Sequence, residues 1–202
     1  MEDHGTAEPG TREFFAARAA DWDERFPGDG PAFAAAVERL GLRPGAAVLD
    51  AGCGTGRAFA PLRAAVGPGG RVVGVDVTPE MVRSARDRGR GELGLLVVAD
   101  VALLPLGDGA VDGVLAAGLI SHLPDPRAVL AELARVTVAG GRLALFHPVG
   151  RAVLAARRGR VLTAGDVRER ANLEPLLRDA GWGLTGFHDG DDLYLAVAVR
   201  GS

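Results

Sequence analysis

The sequence predicts an α/β fold, a doubly wound seven-stranded sheet that is mostly parallel and ends in a C-terminal antiparallel hairpin. Three observations carry this reading. From residue 43 onward, short Val- and Leu-rich runs alternate with helical stretches; the segment "VLDAGCGTGR" (48–57) leads from the first apolar run into a helix through closely spaced glycines; and the tail holds two extended runs around Asp189-Gly190. Strand–helix–strand alternation requires crossovers, which are right-handed and leave helices on both faces of one sheet.

The elements follow in order. Residues 1–10 show no periodicity and are expected to form a disordered tail. Residues 11–202 are read as one domain, a helical cap over 11–42 followed by a sheet core over 43–202. In "TREFFAARAA", Thr11 stands at a cap position and Phe14, Phe15 and Arg18 share a helical face, predicting a helix over 11–20 that ends near Trp22. "FPGDGP" interrupts it. A second helix covers 31–40, with proline in its first turn and Gly41 just beyond its end. The runs 46–49, 71–75, 95–99, 111–116 and 142–146 are short, apolar and bounded by Gly, Pro or Asp, as buried parallel strands are. Helices are expected between them at 58–66, 79–88 and 126–136. "NLEPLLRDAGW" predicts a last helix ending at Gly181, and Asp189-Gly190 a hairpin turn.

Composition limits the function. With 202 residues and 48% hydrophobic content the chain can bury one sizeable core. Its 23 basic and 26 acidic residues intermingle to a net charge of −3, so the basic footprint of a nucleic-acid binder is missing and a small-molecule partner is expected. No apolar run has the length of a membrane span, and the acidic, polar start differs from a secretory leader; a cytoplasmic protein is expected. Cys53 is the only cysteine and no Cys/His cluster has metal-ligand spacing, so no metal is expected. Every basic residue is arginine, spread through helices and loops alike, which reads as compositional bias. The sequence leaves the oligomeric state open.

In an open parallel sheet, ligands bind beyond the carboxyl ends of the strands, near the point where the winding reverses. After the first strand comes Asp50-Ala51-Gly52-Cys53-Gly54-Thr55-Gly56. Glycines allow a sharp turn and close approach of a ligand, and the following helix offers free amides. A dinucleotide fingerprint would place its third glycine where Arg57 stands, and a carboxylate at the mouth of the turn would repel a pyrophosphate. Asp50 favours a cation instead. Asp76 ends the second strand, where a carboxylate can accept from a ribose diol; the alternative is a helix cap, a role that Thr78 ahead of Pro79 suits better. Val77 would then lie against an adenine face. Asp100 ends the third strand and can accept from an adenine amino group while the Val101 amide donates to a ring nitrogen; the alternative is a turn or cap aspartate. Three acids at three successive strand ends, about twenty-five residues apart as crossover length dictates, are the strongest signal.

With "VLDAGCGTG", "VVGVDVTPEMV" and "ADVALLPLGDGAVDGVLAAGLISHLPDPRAVLAELARVTVAGGRLALF" in this order over 43–146, the chain resembles the class I S-adenosylmethionine-dependent methyltransferases, a Rossmann-like family, most closely the branch of the ubiquinone and menaquinone C-methyltransferases. The resemblance implies S-adenosylmethionine as cofactor. Gly52 and Gly54 would hold its methionine end, Asp50 the ammonium through water, Asp76 the ribose, Asp100 and Val101 the adenine, and Ala117 and Gly118 would approach the ribosyl and methionyl part. Trp22-Asp23 resembles the family's aromatic-Asp pair, which closes over the methionine moiety. A nicotinamide-dependent reductase or a non-methylating binder of the same cofactor would share much of this pattern.

Two histidines are candidate catalytic residues. His147 follows the fifth strand and is either a general base or a group fixing the turn before Pro148. His122 either faces the methyl group or packs beneath its loop. In relatives two bulky residues often precede "HLPDP"; here Ile120-Ser121 stand there, so the acceptor cannot be carried over. The arginines of "GRAVLAARRGR" (150–160) either meet solvent or recognise an anionic acceptor. The N-terminal helix and the 150–170 segment are the expected lid.

Overall fold

The computed structural model describes residues 11–202, so the expected tail lies outside the described residues. Two short helices, α1 (Thr11–Ala16) and α2 (Trp22–Arg25), precede α3 (Gly30–Leu40), β1 (Ala47–Ala51) and α4 (Phe59–Val66). Then come β2 (Arg71–Asp76), α5 (Pro79–Asp87), β3 (Leu95–Val98), β4 (Val111–Ala117), α6 (Pro126–Val136) and β5 (Thr137–His147). The chain closes with α7 (Arg151–Arg157), α8 (Arg170–Asp179), β6 (Trp182–Asp189) and β7 (Tyr194–Arg200). Among the described residues no helix is long and apolar enough to cross a membrane.

The seven strands form one sheet in the order β3-β2-β1-β4-β5-β7-β6. Pairing is parallel from β3 through β5 and antiparallel on both sides of β7, so β7 alone runs against the rest. The winding reverses between β1 and β4, which creates a crevice beyond the carboxyl ends of those two strands.

Each face of the sheet carries its own apolar layer. On one, Phe33, Val37 and Leu40 of α3, Phe59 and Leu62 of α4, and Val82 of α5 pack against Val48, Val72, Leu96 and Leu115. On the other, Leu130 and Leu133 of α6 and Leu173 and Leu177 of α8 pack against Leu49, Val114 and Leu143. Burying one such side chain stabilises the fold by about 1.5–3 kcal/mol. Trp182 joins the second layer while its indole N–H donates to the Leu130 carbonyl at 2.9 Å, which satisfies the polar end of an otherwise buried ring.

The first helix is shorter than the sequence pattern predicts. Periodicity carries it to residue 20, whereas α1 ends at Ala16 and the chain turns before re-forming as α2. Beyond Ala17, whose amide still reaches the Glu13 carbonyl, the bonds tighten to Arg18 to Phe15 and Ala19 to Ala16, and the last turn comes to rest on α5, with the Ala19 and Ala20 carbonyls accepting from the Ser84 hydroxyl at 2.7 Å and the Arg88 guanidinium at 2.6 Å.

At the opposite side of the crevice, α7 is held against the β6–β7 turn. A Cβ built on Gly150, at its N-cap, would fall 1.7 Å from the Gly190 carbonyl oxygen. Arg151 adds its amide and its Nε to the Asp189 carboxylate at 2.9 and 2.7 Å. Gly150→Ala is therefore expected to force backbone apart and to cost about 1–3 kcal/mol, with a melting temperature lower by about 2–4 °C per kcal/mol in calorimetry. An unchanged melting temperature would show that the two segments separate freely.

Candidate active site

The glycine loop after β1 folds back on the end of β2. Gly52 and Cys53 donate their amides to the Val75 carbonyl at 2.8 and 3.0 Å, and Gly54 donates to Asp76 Oδ2 at 2.8 Å. Gly52 and Gly54 have φ of 69° and 53°, a left-handed backbone that disfavours side chains. A Cβ at Gly54 would meet nothing closer than Met81 Sδ at 4.0 Å, so the loop keeps open space in front of its backbone.

Asp50, Asp76 and Asp100 all lie at the carboxyl edge of the sheet, on β1, at the end of β2 and just after β3. Their surroundings differ. Asp50 is 1% exposed and, among the described residues, neither carboxylate oxygen has a hydrogen-bond partner. Burial, reinforced by the charge of Asp76, pushes its pKa up to about 7. Asp76 is raised too by burial, against the lowering effect of the Thr78 and Gly54 amides. Each of its oxygens accepts one amide at 2.8 Å, Thr78 on Oδ1 and Gly54 on Oδ2, the Thr78 hydroxyl bonds to it as well, and lone-pair capacity remains for a further donor. Asp100 is exposed, and Oδ1 accepts the Ala102 amide at 2.8 Å in a turn while Oδ2 stays free. The turn aspartate weighed as an alternative is thus present, with one oxygen to spare.

Thr78 does not fill the cap role expected of it. Its side chain makes no capping bond at α5, and the Asp76 carboxylate takes its amide. Thr78 stands at the N-cap position, but its hydroxyl also turns to the Asp76 carboxylate and so does not serve the α5 amides. Val77 is 45% exposed and Leu103 79% exposed beside the ends of β2 and β3, while Val101 is buried at 7%. Cys53 is buried, its thiol held well up by burial and by both carboxylates, and so unreactive.

The N-terminal helices are tied to this loop by a network that sequence reasoning missed apart from Asp23. Asp23 Oδ1 accepts from the Thr55 hydroxyl at 2.6 Å, and Oδ2 pairs with Arg90 at 2.5 Å and Arg88 at 3.6 Å. Arg90 also donates to the Thr55 carbonyl. Arg57 reaches the Phe26 carbonyl at 2.5 Å and Asp29 at 3.0 Å. Half-buried Trp22 packs between Phe15 and Phe26, with centroids 5.4 and 5.1 Å away.

Beyond the end of β4, Gly118 donates its amide to the Phe146 carbonyl at 2.7 Å, and a Cβ built on it would lie 3.9 Å from His147 Cδ2. The His147 ring therefore stands beside Ala117-Gly118. Its Nδ1 is 3.0 Å from the Val149 carbonyl and 3.2 Å from the Val149 amide, which holds the turn around Pro148, while Nε2 is directed elsewhere. Burial, with the charges of Arg168 and Arg158, lowers its pKa to about 4. His122 sits in a 3-10 turn (Ile120–His122), edge-on to Phe15 at 5.4 Å, its pKa lowered by burial and the same two arginines. Both imidazoles are neutral at pH 7.

A mostly parallel sheet with this strand order, and a glycine loop beside acids on neighbouring strands, fit the resemblance to the class I S-adenosylmethionine-dependent methyltransferases. The comparisons agree. Residues 49–145 match the family described as a methyltransferase domain. The chain is 40% identical over 111 residues to nocamycin O-methyltransferase of Saccharothrix syringae, covering 53% of this chain and 39% of that protein. It is 35% identical over 115 residues to the ubiquinone/menaquinone biosynthesis C-methyltransferase UbiE of Hahella chejuensis, covering 55% and 46%. A crystal structure of an S-adenosylmethionine-dependent methyltransferase from Aquifex aeolicus superposes with a TM-score of 0.67 at 27% identity, covering 81% of this chain and 86% of that one. Over its sheet core the chain is similar to this methyltransferase family. It spans about half or less of the length of the curated relatives it matches.

S-adenosylmethionine is the cofactor of this class, and the residues present fit it. The buried, unpartnered Asp50 carboxylate suits an ammonium, and the open space before Gly54 suits close approach of a ligand.

Proposed function

We propose that the chain moves the methyl group of S-adenosylmethionine to an oxygen, nitrogen or carbon nucleophile of a small molecule. One observation supports it above the others: Asp50 is a buried carboxylate without a partner, one strand from Asp76, an arrangement that favours a cation with a diol beside it and disfavours a pyrophosphate. Bound cofactor supplies an electrophilic methyl group on a sulfonium whose charge vanishes as the bond breaks.

The chain's own residues bind and orient. Asp50 takes the ammonium, Asp76 the ribose through the lone-pair capacity its other donors leave free, and Asp100 Oδ2 the adenine amino group beside Val77 and Val101. Gly52 and Gly54 carry the methionine end, with Trp22 above it and Ala117-Gly118 along the ribosyl side. The N-terminal helices and the 150–170 segment exclude water, and alignment of this kind contributes about 7–11 kcal/mol in well-oriented intramolecular reactions. His147 accepts the acceptor's proton at Nε2; the free ring is uncharged but a weak base at a pKa of about 4, so the role requires that proton transfer accompany the loss of the sulfonium charge. His122 forms the opposite wall.

His147→Ala is expected to lower kcat about a hundredfold, read as labelled-methyl incorporation, with S-adenosylhomocysteine affinity unchanged in calorimetry. Equal turnover would leave the ring only its hold on Val149. The reading as a whole is tested by thermal shift: S-adenosylhomocysteine should raise the melting temperature and NADH should not. The reverse would make the protein a nicotinamide enzyme. A cofactor shift with no transfer to any acceptor in a broad panel would favour a non-methylating binder.

A further inference from the structure

Between β3 and β4 the chain runs from residue 99 to 110 without a helix, whereas the other parallel connections each contain one. A connection of that length without regular structure needs holding, and such segments commonly serve a site. This one carries Asp100 and Val101. Asp100 opens a turn, its Oδ1 accepting the Ala102 amide at 2.8 Å and its carbonyl the Leu103 amide at 3.1 Å. Val101 and Leu104 are buried in the layer beneath α6.

The hold comes from α6. Glu132 Oε1 accepts the Leu104 amide at 2.7 Å, and both Glu132 oxygens accept from Arg135, each at 2.7 Å. Residues three apart on a helix face each other, and the guanidinium fork matches two carboxylate oxygens. Arg135 also reaches the Leu104 carbonyl at 3.4 Å and Asp108 Oδ1 at 2.7 Å, while its own carbonyl accepts the Gly109 amide at 2.9 Å. One helical turn thus grips the connection at Leu104 and again at 108–109. An isolated exposed ion pair contributes little to stability, but this one is bidentate and also satisfies a backbone amide.

We propose that Glu132 and Arg135 are positioning residues for the adenine end of the cofactor: by fixing Leu104 they hold the Asp100 turn, so that its spare Oδ2 and the Val101 amide meet the base together. This rests on the methyl-transfer reading and extends it to a helix that carries none of the binding residues assigned above. The consequence is specific to one end of the ligand. Loosening the clamp should blur recognition of the base and spare that of the ribose, since Asp76 is oriented by the Gly54 and Thr78 amides instead.

The test uses the full chain in calorimetry with S-adenosylhomocysteine, with S-inosylhomocysteine, in which a carbonyl replaces the amino group of the base, and with the analogue lacking the ribose 2′-hydroxyl. Wild type is expected to prefer the amino compound at least tenfold, the worth of one hydrogen bond to a charged acceptor. Glu132→Ala and Arg135→Ala should bind S-adenosylhomocysteine about tenfold more weakly and lose most of that preference, whereas the penalty for the missing hydroxyl should not move. Glu132→Gln, which keeps an oxygen for the Leu104 amide, should fall between. Arg135 lies partly exposed, so its removal carries the test if Glu132→Ala does not fold. An unchanged preference in the alanine variants that fold, or one lost together with the ribose penalty, overturns the clamp and leaves methyl transfer standing. A wild-type protein that binds both bases equally overturns the clamp along with the Asp100 assignment. Failure of the wild-type protein to bind S-adenosylhomocysteine overturns the methyl-transfer reading as well.

Discussion

S-adenosylhomocysteine is expected to bind more weakly as pH falls below about 7, by up to tenfold per unit, and Asp50→Asn is expected to flatten that dependence. The ligand's ammonium engages the carboxylate anion, so a proton on Asp50 competes with it. Asp50 holds its proton up to about 7 because it is buried and because Asp76 lies near. The same shift predicts the stability of the free protein. A folded pKa raised above the ordinary carboxylate value means that the folded state binds the proton more tightly than the unfolded chain. Stability is therefore intact below the unfolded value and is lost as pH rises toward 7. Three units correspond to about 4 kcal/mol at the upper limit. The free protein should melt higher at pH 5 than at pH 7.5, as far as Asp50 governs it, and Asp50→Asn should melt higher than wild type at pH 7.5. Calorimetry at several pH values decides the matter: a flat profile, or the same slope in both proteins, would mean that Asp50 does not meet the cofactor's charge.

Asp76→Ala is expected to weaken S-adenosylhomocysteine binding at least a hundredfold. Loss of hydrogen bonds from the ribose to a charged acceptor removes about 1.5–3 kcal/mol each. The carboxylate also holds the Gly54 and Thr78 amides, both at 2.8 Å, so its removal loosens the glycine loop that should carry the methionine end. At about 1.4 kcal/mol per factor of ten, a ribose contact near the upper end of that range accounts for the expected loss. Asp76→Asn keeps one carbonyl oxygen and should fall between the two. An unaltered affinity in a correctly folded Asp76→Ala protein would remove the ribose assignment.

The sheet was legible because burial imposes a pattern on neighbouring residues: parallel strands read as short apolar runs, and crossover length spaces Asp50, Asp76 and Asp100 evenly. Helix boundaries were less so, because the tightening of the backbone after Ala16 and the docking of the Ala19 and Ala20 carbonyls on Ser84 and Arg88 leave no mark on apolar periodicity. Thr78 shows the same limit at short range, since it stands at the cap position but its hydroxyl turns to the Asp76 carboxylate and not to the α5 amides. The ties of Arg57 to Asp29 and of Arg90 to Asp23 span 28 and 67 positions, and long-range charge pairs leave no periodic trace in a chain whose arginines are everywhere. An acid at the mouth of the glycine loop could be read from sequence; that it stands without a donor could not, because partners belong to three-dimensional neighbourhoods.

The near-contact between Gly150 and the Gly190 carbonyl has a bearing on protein engineering. Two stretches that a designer would treat as separate cassettes, the segment after β5 and the reversal between the last two strands, meet main chain to main chain. Grafting one from a homologue without its mate would bring mismatched backbones into collision, so libraries aimed at altered acceptor preference should exchange them as a pair.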